Sequence, residues 1–279
     1  MVTPLKDFSR LCLHTITTRP WSLKQCIAQY QAAGVPAITV WRDVLEKEGL
    51  EQSAKRLRES GLRVTSLCRG GFFPATTKRA RAAAIEDNRQ AIREAAAIGA
   101  PHVVLVSGAV PGMPLAEGRK MIRAGIEAIL PEAEAAGVGG VKLAIEPLHP
   151  MFAANRSAVS TLKQANDMVA EIGSPMVGVA IDTFHVWWDD SLEAEIARCG
   201  KAGSLLAFHV SDWRTPLREM LNDRGLMGEG CIDFRQMRGW VEAAGFKGDI
   251  EVEIFSTELW KTRQADFVQR IKQAYRKYV

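Results

Sequence analysis

The sequence predicts a single (β/α)8 barrel, a TIM barrel occupying residues 1–279 as one domain. Three observations carry that reading. Short apolar runs alternate with longer Ala-, Glu- and Arg-rich stretches of helical period. Eight such strand-then-helix units can be counted, and no Pro/Gly/Ser-rich linker divides them. The length of 279 residues suits the roughly 250 that eight units require. A doubly wound open sheet is the rival, but it prescribes no unit count.

The strands are expected at Leu11–Thr15, Pro36–Trp41, Leu62–Cys68, His102–Ser107, Val141–Glu146, Val177–Asp182, Leu205–Val210 and Asp249–Ile254. Between them the periodic segments Ser22–Ala33, Lys78–Ile98, Leu115–Ala136, Ser157–Ile172 and Phe234–Ala244 read as helices. Gly34, Gly61, Gly99, Gly137, Gly173 and Gly245 each stand between a helix and the next strand, where a left-handed residue ends a helix.

Alternate residues of a barrel strand point inward and the others meet the helices, so each strand should split into two sets. Val177, Val179 and Ile181 oppose Gly178, Ala180 and Asp182; Val141, Leu143 and Ile145 oppose Lys142, Ala144 and Glu146. Leu206, Phe208 and Val210 oppose Leu205, Ala207 and His209, and Ile250, Val252 and Ile254 oppose Asp249, Glu251 and Glu253. One set is apolar and suits the helix layer. The other is small or polar and ends in an acid or a histidine at the carboxyl end of the strand, the rim where barrel enzymes hold their active sites.

Glu146, Asp182, His209 and Glu253 should therefore converge. Three carboxylates so placed repel unless one is protonated or a cation holds them. Three oxygens and one imidazole suit one fairly hard divalent ion, Mn²⁺ first, with Mg²⁺, Co²⁺ or Zn²⁺ as alternatives; a closed structural zinc site would more usually carry Cys. Of the five histidines, His14, His149, His185 and His209 lie at or just beyond strand ends, and only His102 lies at a strand start. Each residue also has a plainer reading. Glu146 before Pro147 could mark a strand exit, Asp182 could cap a short helix through Phe184–Trp188, and Trp187 and Trp188 could pack under a loop. Glu251 shares the inward phase of Glu253 but lies deeper, and is expected to pair with Arg63 or Lys142 at the barrel bottom, because a buried charge needs a partner.

The bulk composition excludes several classes. A net charge of +4 and no basic block with interleaved aromatics give no reason to expect nucleic acid. No apolar run approaches the ~20 residues of a membrane span, and the start MVTPLKDFSR has no apolar h-region. The five cysteines, Cys12, Cys26, Cys68, Cys199 and Cys231, are scattered without a CxxC and read as reduced cytoplasmic thiols.

The stretches IEPLH, IDTFHVWW, FHVSDW with its following GEG turn, and EVEIF resemble the sugar phosphate isomerase/epimerase family of xylose isomerase-like barrels, and the likeness runs from LCLHTITTRPW to the last helix. That resemblance implies metal ligation by Glu146, Asp182, His209 and Glu253, and contact of His185 and Arg214 with substrate oxygens. His14, His149, Arg69 and Trp41 complete the expected substrate contacts. His149 and the RGGFFP loop, Arg69 to Pro74, depart from the simple epimerases. The expected substrate is a keto sugar or cyclitol, and the expected assembly is a homodimer or homotetramer. The expected chemistry is removal of an α-proton by Glu146 or Glu253 to give an enediolate, followed by epimerisation or isomerisation. The same intermediate could serve a dehydratase or lyase, with His149 as an acid for a leaving group. A catalytically retired barrel serving as a binding subunit is the alternative of another class. Endonucleases of the abasic-site type share the fold but need ligands for three metals.

Overall fold

The computed structural model describes residues 2–279. Eight parallel strands close a barrel: β1 (Leu11–His14), β2 (Ala37–Trp41), β3 (Arg63–Gly71), β4 (His102–Val106), β5 (Lys142–Glu146), β6 (Val177–Asp182), β7 (Leu205–Val210) and a closing strand, Ile250–Val252, which pairs with β7 on one side and β1 on the other. Helices pack around it, the longest being Lys78–Ile98 and Leu115–Ala135. No helix among the described residues is long and apolar enough to cross a membrane.

The expected division of each strand accounts for the two layers. Val177, Val179, Ile181, Leu143, Ile145, Phe208, Val210, Ile250 and Val252 join the helix-facing core. Cys68, Val104, Ala144, Ala180 and Ala207 form a separate cluster inside the barrel. Those small side chains leave room above them for the polar strand ends. One detail departs from simple alternation. A register shift between β6 and β7 pairs Val179 with Leu205 and Ala180 with Ala207, so Leu205 packs with the outer core and Leu206 against the inner cluster. The two leucines thus exchange the expected sides, as a one-residue bulge requires. His209 keeps its inward phase, opposite Asp182.

Two other boundaries move. The segment expected as helix from Ser157 forms one only at Leu162–Ile172, capped by Thr161, whose side chain accepts from Gln164 N; Ser157 instead bridges to Gly108. Strand β3 runs past Cys68 to Gly71. There Asn88 reaches from the long helix behind it. Its Oδ1 accepts from Gly71 N at 2.6 Å and its Nδ2 donates to Gly71 O at 2.7 Å. Gly71 has φ +106°, and a Cβ there would lie 1.9 Å from Val106 O. Gly71→Ala is therefore expected to destabilise the protein by about 2–4 kcal/mol, since strain and collision add. Thermal unfolding checks this, and an unchanged midpoint would show that the loop accommodates the side chain.

Candidate metal centre

Glu146, Asp182, His209 and Glu253 meet at the carboxyl-terminal rim, and each offers a ligand atom within 4.8 Å of the others. All four are buried. Strand geometry places them: Glu146 ends β5, Asp182 ends β6, His209 sits near the end of β7, and Glu253 follows the closing strand, its N–H still donating to Val210 O at 3.2 Å.

Asp182 caps a helical turn and also stands in the cluster. Its Oδ1 accepts from Phe184 N at 2.9 Å, capping the turn Thr183–Val186, and its Oδ2 faces the cluster. Burial, together with the nearby Glu253 and Glu146, raises its carboxyl to about 7 despite the opposing Arg224. Glu253 has one oxygen 3.1 Å from His14 Nδ1 and the other 2.8 Å from Arg224 Nη1. Burial works to raise its carboxyl, but Arg224, His14 and His209 outweigh burial and hold it well below the usual range. His209 Nδ1 lies 3.3 Å from Glu146 Oε1, and its Nε2 lies 3.7 Å from Glu251 Oε2. Burial would lower its pKa, but Glu251 and Glu146 lift it to about 9.

These residues fit one divalent ion. Glu146 Oε1 and His209 Nδ1, 3.3 Å apart, are buried without a hydrogen-bond partner, a costly state that a cation between them would relieve. A carboxylate behind the imidazole is the usual way of orienting a histidine ligand, and Glu251 is so placed. The neighbouring donors suit a metal less well. His14 is already engaged through Nε2 with Glu251 and through Nδ1 with Glu253. The Cys68 thiol is pushed well up by burial and by the surrounding glutamates, away from the thiolate a metal needs.

Glu251 does not pair as expected. Arg63 binds Asp249 instead, at 2.6 Å. Glu251 Oε2 accepts from Thr39 Oγ1 at 2.5 Å and Ser66 Oγ at 3.1 Å, and lies 3.0 Å from His14 Nε2. Burial raises its carboxyl, but His209 and His14 bring it down to about 2. It is a neutral-hydroxyl and histidine site inside the barrel, one layer below the four donors, because inward residues of β1, β2 and β3 supply the partners.

The expected substrate contacts divide. His185, Trp41 and Arg69 line the pocket above the cluster, with Glu146, Glu253, Arg156, Arg224 and Phe255. Burial and Arg224 hold the His185 imidazole neutral, well below its ordinary pKa. His14 lies beneath this layer, between Glu251 and Glu253, with Trp41 Nε1 3.2 Å from its Nδ1. His149 is turned aside: its Nδ1 accepts from Met151 N at 3.2 Å and its ring packs on Trp213 at 4.5 Å. Trp187 and Trp213 likewise pack against one another, tilted, with ring centroids 5.5 Å apart, while Trp188 Nε1 donates to His185 O at 2.8 Å.

Arg214 does not reach the pocket. Its guanidinium is held by Glu229 at 2.7 Å, Glu258 at 3.2 Å and Asp223 at 3.6 Å. The arginine that reaches the acids is Arg224, ten positions later in the same loop. Its Nη1 donates to Asp182 Oδ2 at 2.7 Å and Glu253 Oε2 at 2.8 Å, and its Nη2 lies 3.1 Å from His185 Nε2. The guanidinium is sandwiched between Phe184 at 4.5 Å and Phe255 at 4.9 Å. A short ribbon positions it, pairing Arg224–Gly225 with Asp212–Trp213. Asp212 pins the GEG turn below, accepting from Gly228, Gly230 and Ile232 N–H groups at 2.8, 2.9 and 3.1 Å. Arg214→Ala is accordingly expected to change substrate KM by less than about threefold, whereas Arg224→Lys, which loses the fork, should raise it by about tenfold or more. Steady-state kinetics on the two variants checks this, and the reverse order would return the substrate role to Arg214.

A closed barrel with acids and a histidine gathered at its carboxyl rim defines the class. The chain belongs to the xylose isomerase-like TIM barrel family, whose model matches residues 27–275. Among curated relatives, it is 24% identical over 279 residues to the inosose isomerase of Bacillus velezensis, covering 95% of each chain. It is 26% identical over 210 residues to the L-ribulose 3-epimerase of Mesorhizobium japonicum, covering 74% of this chain and 66% of that one. A crystal structure of a protein from Sinorhizobium meliloti 1021 is 44% identical and covers 98% and 99% of the two chains, with a TM-score of 0.93. A structure described as IOLI protein with a binding zinc atom is 22% identical over 97% and 99%, with a TM-score of 0.82, and shows the same fold.

Proposed function

We propose that the protein is a divalent-metal-dependent isomerase or epimerase acting on a keto sugar or cyclitol by α-proton transfer. The observation that carries this is the set of four converging donors, two of which, Glu146 Oε1 and His209 Nδ1, have no hydrogen-bond partner. The names of the curated relatives, an inosose isomerase and an L-ribulose 3-epimerase, point to the same chemistry. Glu146, Asp182, His209 and Glu253 would hold the ion, with Mn²⁺ the first expectation. A bound divalent ion supplies Lewis acidity that makes a proton beside a carbonyl more acidic.

The chain's own residues supply the rest. Glu146 and Glu253 stand on non-adjacent strands, so the two carboxylates approach a bound substrate from different sides. One carboxylate takes the α-proton: the C–H bond breaks, an O–H bond forms on the glutamate, and the electron pair moves to the carbonyl oxygen as an enediolate. Return of a proton by the other glutamate to the opposite face gives the epimer; return to the neighbouring carbon gives the isomer. Arg224, over the acids and with its Nε unpartnered, is placed to donate a hydrogen bond to an oxygen that gains charge, and His185 lines the same pocket against its Nη2. Arg224 and then His14 hold the Glu253 carboxylate in its anionic form. No observation favours elimination, because His149 is committed to Met151 and Trp213.

The test is exchange of substrate C–H for deuterium in D2O over a panel of keto sugars and inososes, followed by NMR. Exchange that requires added divalent metal is expected. Absence of exchange from every member with the metal bound would favour the binding-only barrel.

A further inference from the structure

The pocket above the donor cluster holds two arginines that form no ion pair with a carboxylate among the described residues. Arg69 and Arg156 both line it, beside Glu146, Glu253, His185 and Arg224. The other arginines around this mouth are committed. Arg42 binds Glu94 at 2.6 Å and Asp87 at 3.0 Å, Arg224 binds Asp182 and Glu253, and Arg214 is held by its three acids. Arg69 and Arg156 form no ion pair among the described residues, and the buried Nε of Arg156 has no hydrogen-bond partner. What holds them in place is aromatic: Arg69 lies 4.3 Å over the Phe72 ring, and Arg156 lies 6.0 Å from Phe72 and 5.8 Å from Phe152. Burial and then mutual repulsion lower the pKa of Arg69, and burial with Arg224 lowers that of Arg156. Two partly buried like charges sharing a ring, with unused donors, are unfavourable unless something anionic completes them.

The charge balance agrees. Glu146, Asp182 and Glu253 are three acids; one divalent ion and Arg224 cancel them and leave both remaining arginines uncompensated. The end of β3, clamped at Gly71 by Asn88, and the segment after Phe152 bring Arg69 and Arg156 against the same ring, Phe72.

We propose that the substrate carries an anionic group, a carboxylate or a phosphate, seated between Arg69 and Arg156 at the mouth of the pocket while its carbonyl end faces the four donors. This rests on the function proposed above for the donor cluster and adds the charge of the substrate to it. A planar guanidinium pair serves either anion, because both present paired oxygens to the fork.

The experiment compares three six-carbon keto sugars by calorimetric titration into metal-loaded protein freed of excess metal: D-fructose, D-fructose 6-phosphate and 2-keto-D-gluconate. At least one anion is expected to bind about tenfold or more tightly than fructose, and whichever does so identifies phosphate or carboxylate as the group. Arg69→Gln and Arg156→Gln should each remove most of that advantage, Arg156→Lys should retain part of it, and metal content by elemental analysis should not change. No advantage of either anion over fructose in the wild-type protein, or an advantage that survives both Gln variants, overturns the proposal. The wild-type comparison decides even where a variant fails to fold. Wild-type protein that neither contains nor takes up metal fails the donor-cluster reading separately, and the anion preference is then read by titrating the same three ligands into that metal-free protein.

Discussion

Glu253→Gln is expected to slow exchange of the substrate's α-proton with solvent by about two to four orders of magnitude, the usual contribution of a positioned general base. The amide keeps the shape of the carboxylate but cannot accept a proton at neutral pH. Its setting keeps the native group ionised, as the proposed base must be. His14 and Arg224 hold the two oxygens at 3.1 and 2.8 Å and keep the carboxylate ionised inside the barrel. Glu146→Gln should have a comparable effect on the step it serves. In an epimerase each variant should block proton transfer at one face, so the two epimers of a substrate would lose exchange unequally. NMR exchange in D2O with each epimer measures this. Full exchange in Glu253→Gln would end the two-glutamate scheme.

The second large effect is on stability. Arg224 is buried and satisfies Asp182, Glu253 and His185 at once. Arg224→Ala leaves two buried carboxylates without their cation, and removal of one partner from such a pair costs about 3–5 kcal/mol. The metal-free variant should therefore melt well below the metal-free wild type. Removing a positive charge from beside the donors should also favour a second cation, so the rise in thermal midpoint on adding divalent metal should be larger in Arg224→Ala than in wild type. Thermal scans of both proteins with and without metal test this. An equal rise in both would show that Arg224 and the ion do not share the same acids.

The fold and the acid set were legible for related reasons. A barrel strand buried on both faces has two side-chain sets with different duties, and the sequence separates them at Val177–Asp182, Val141–Glu146 and Ile250–Glu253. The glycines at 34, 61, 99, 137, 173 and 245 all adopt positive φ, between +59° and +92°, as helix-ending residues should. What escaped depends on events outside one strand. The bulge at Leu206 shifts two leucines between layers, and alternation cannot reveal a bulge. Glu251 could be recognised as inward, but its partners Thr39, Ser66 and His14 come from three other strands and are fixed only by barrel register. Arg214 and Arg224 lie in one loop with no periodicity to orient them. The available signal was indirect: Arg224 lies four positions before the GEG turn that Asp212 folds, and it pairs with the strand that carries Asp212. Arg156 carried no signal at all, since its place at the pocket follows from the segment Pro150–Phe152 turning back over the rim.

The account depends most on an ion bound by four side chains at the rim, so the most direct measurement is metal content by elemental analysis of protein purified without chelator. About one divalent ion per chain is predicted for the wild type, and almost none for Glu146→Gln/His209→Ala at unchanged circular dichroism. A wild-type protein that contains no metal and takes up none on addition, or a double variant that holds as much as the wild type, would contradict it.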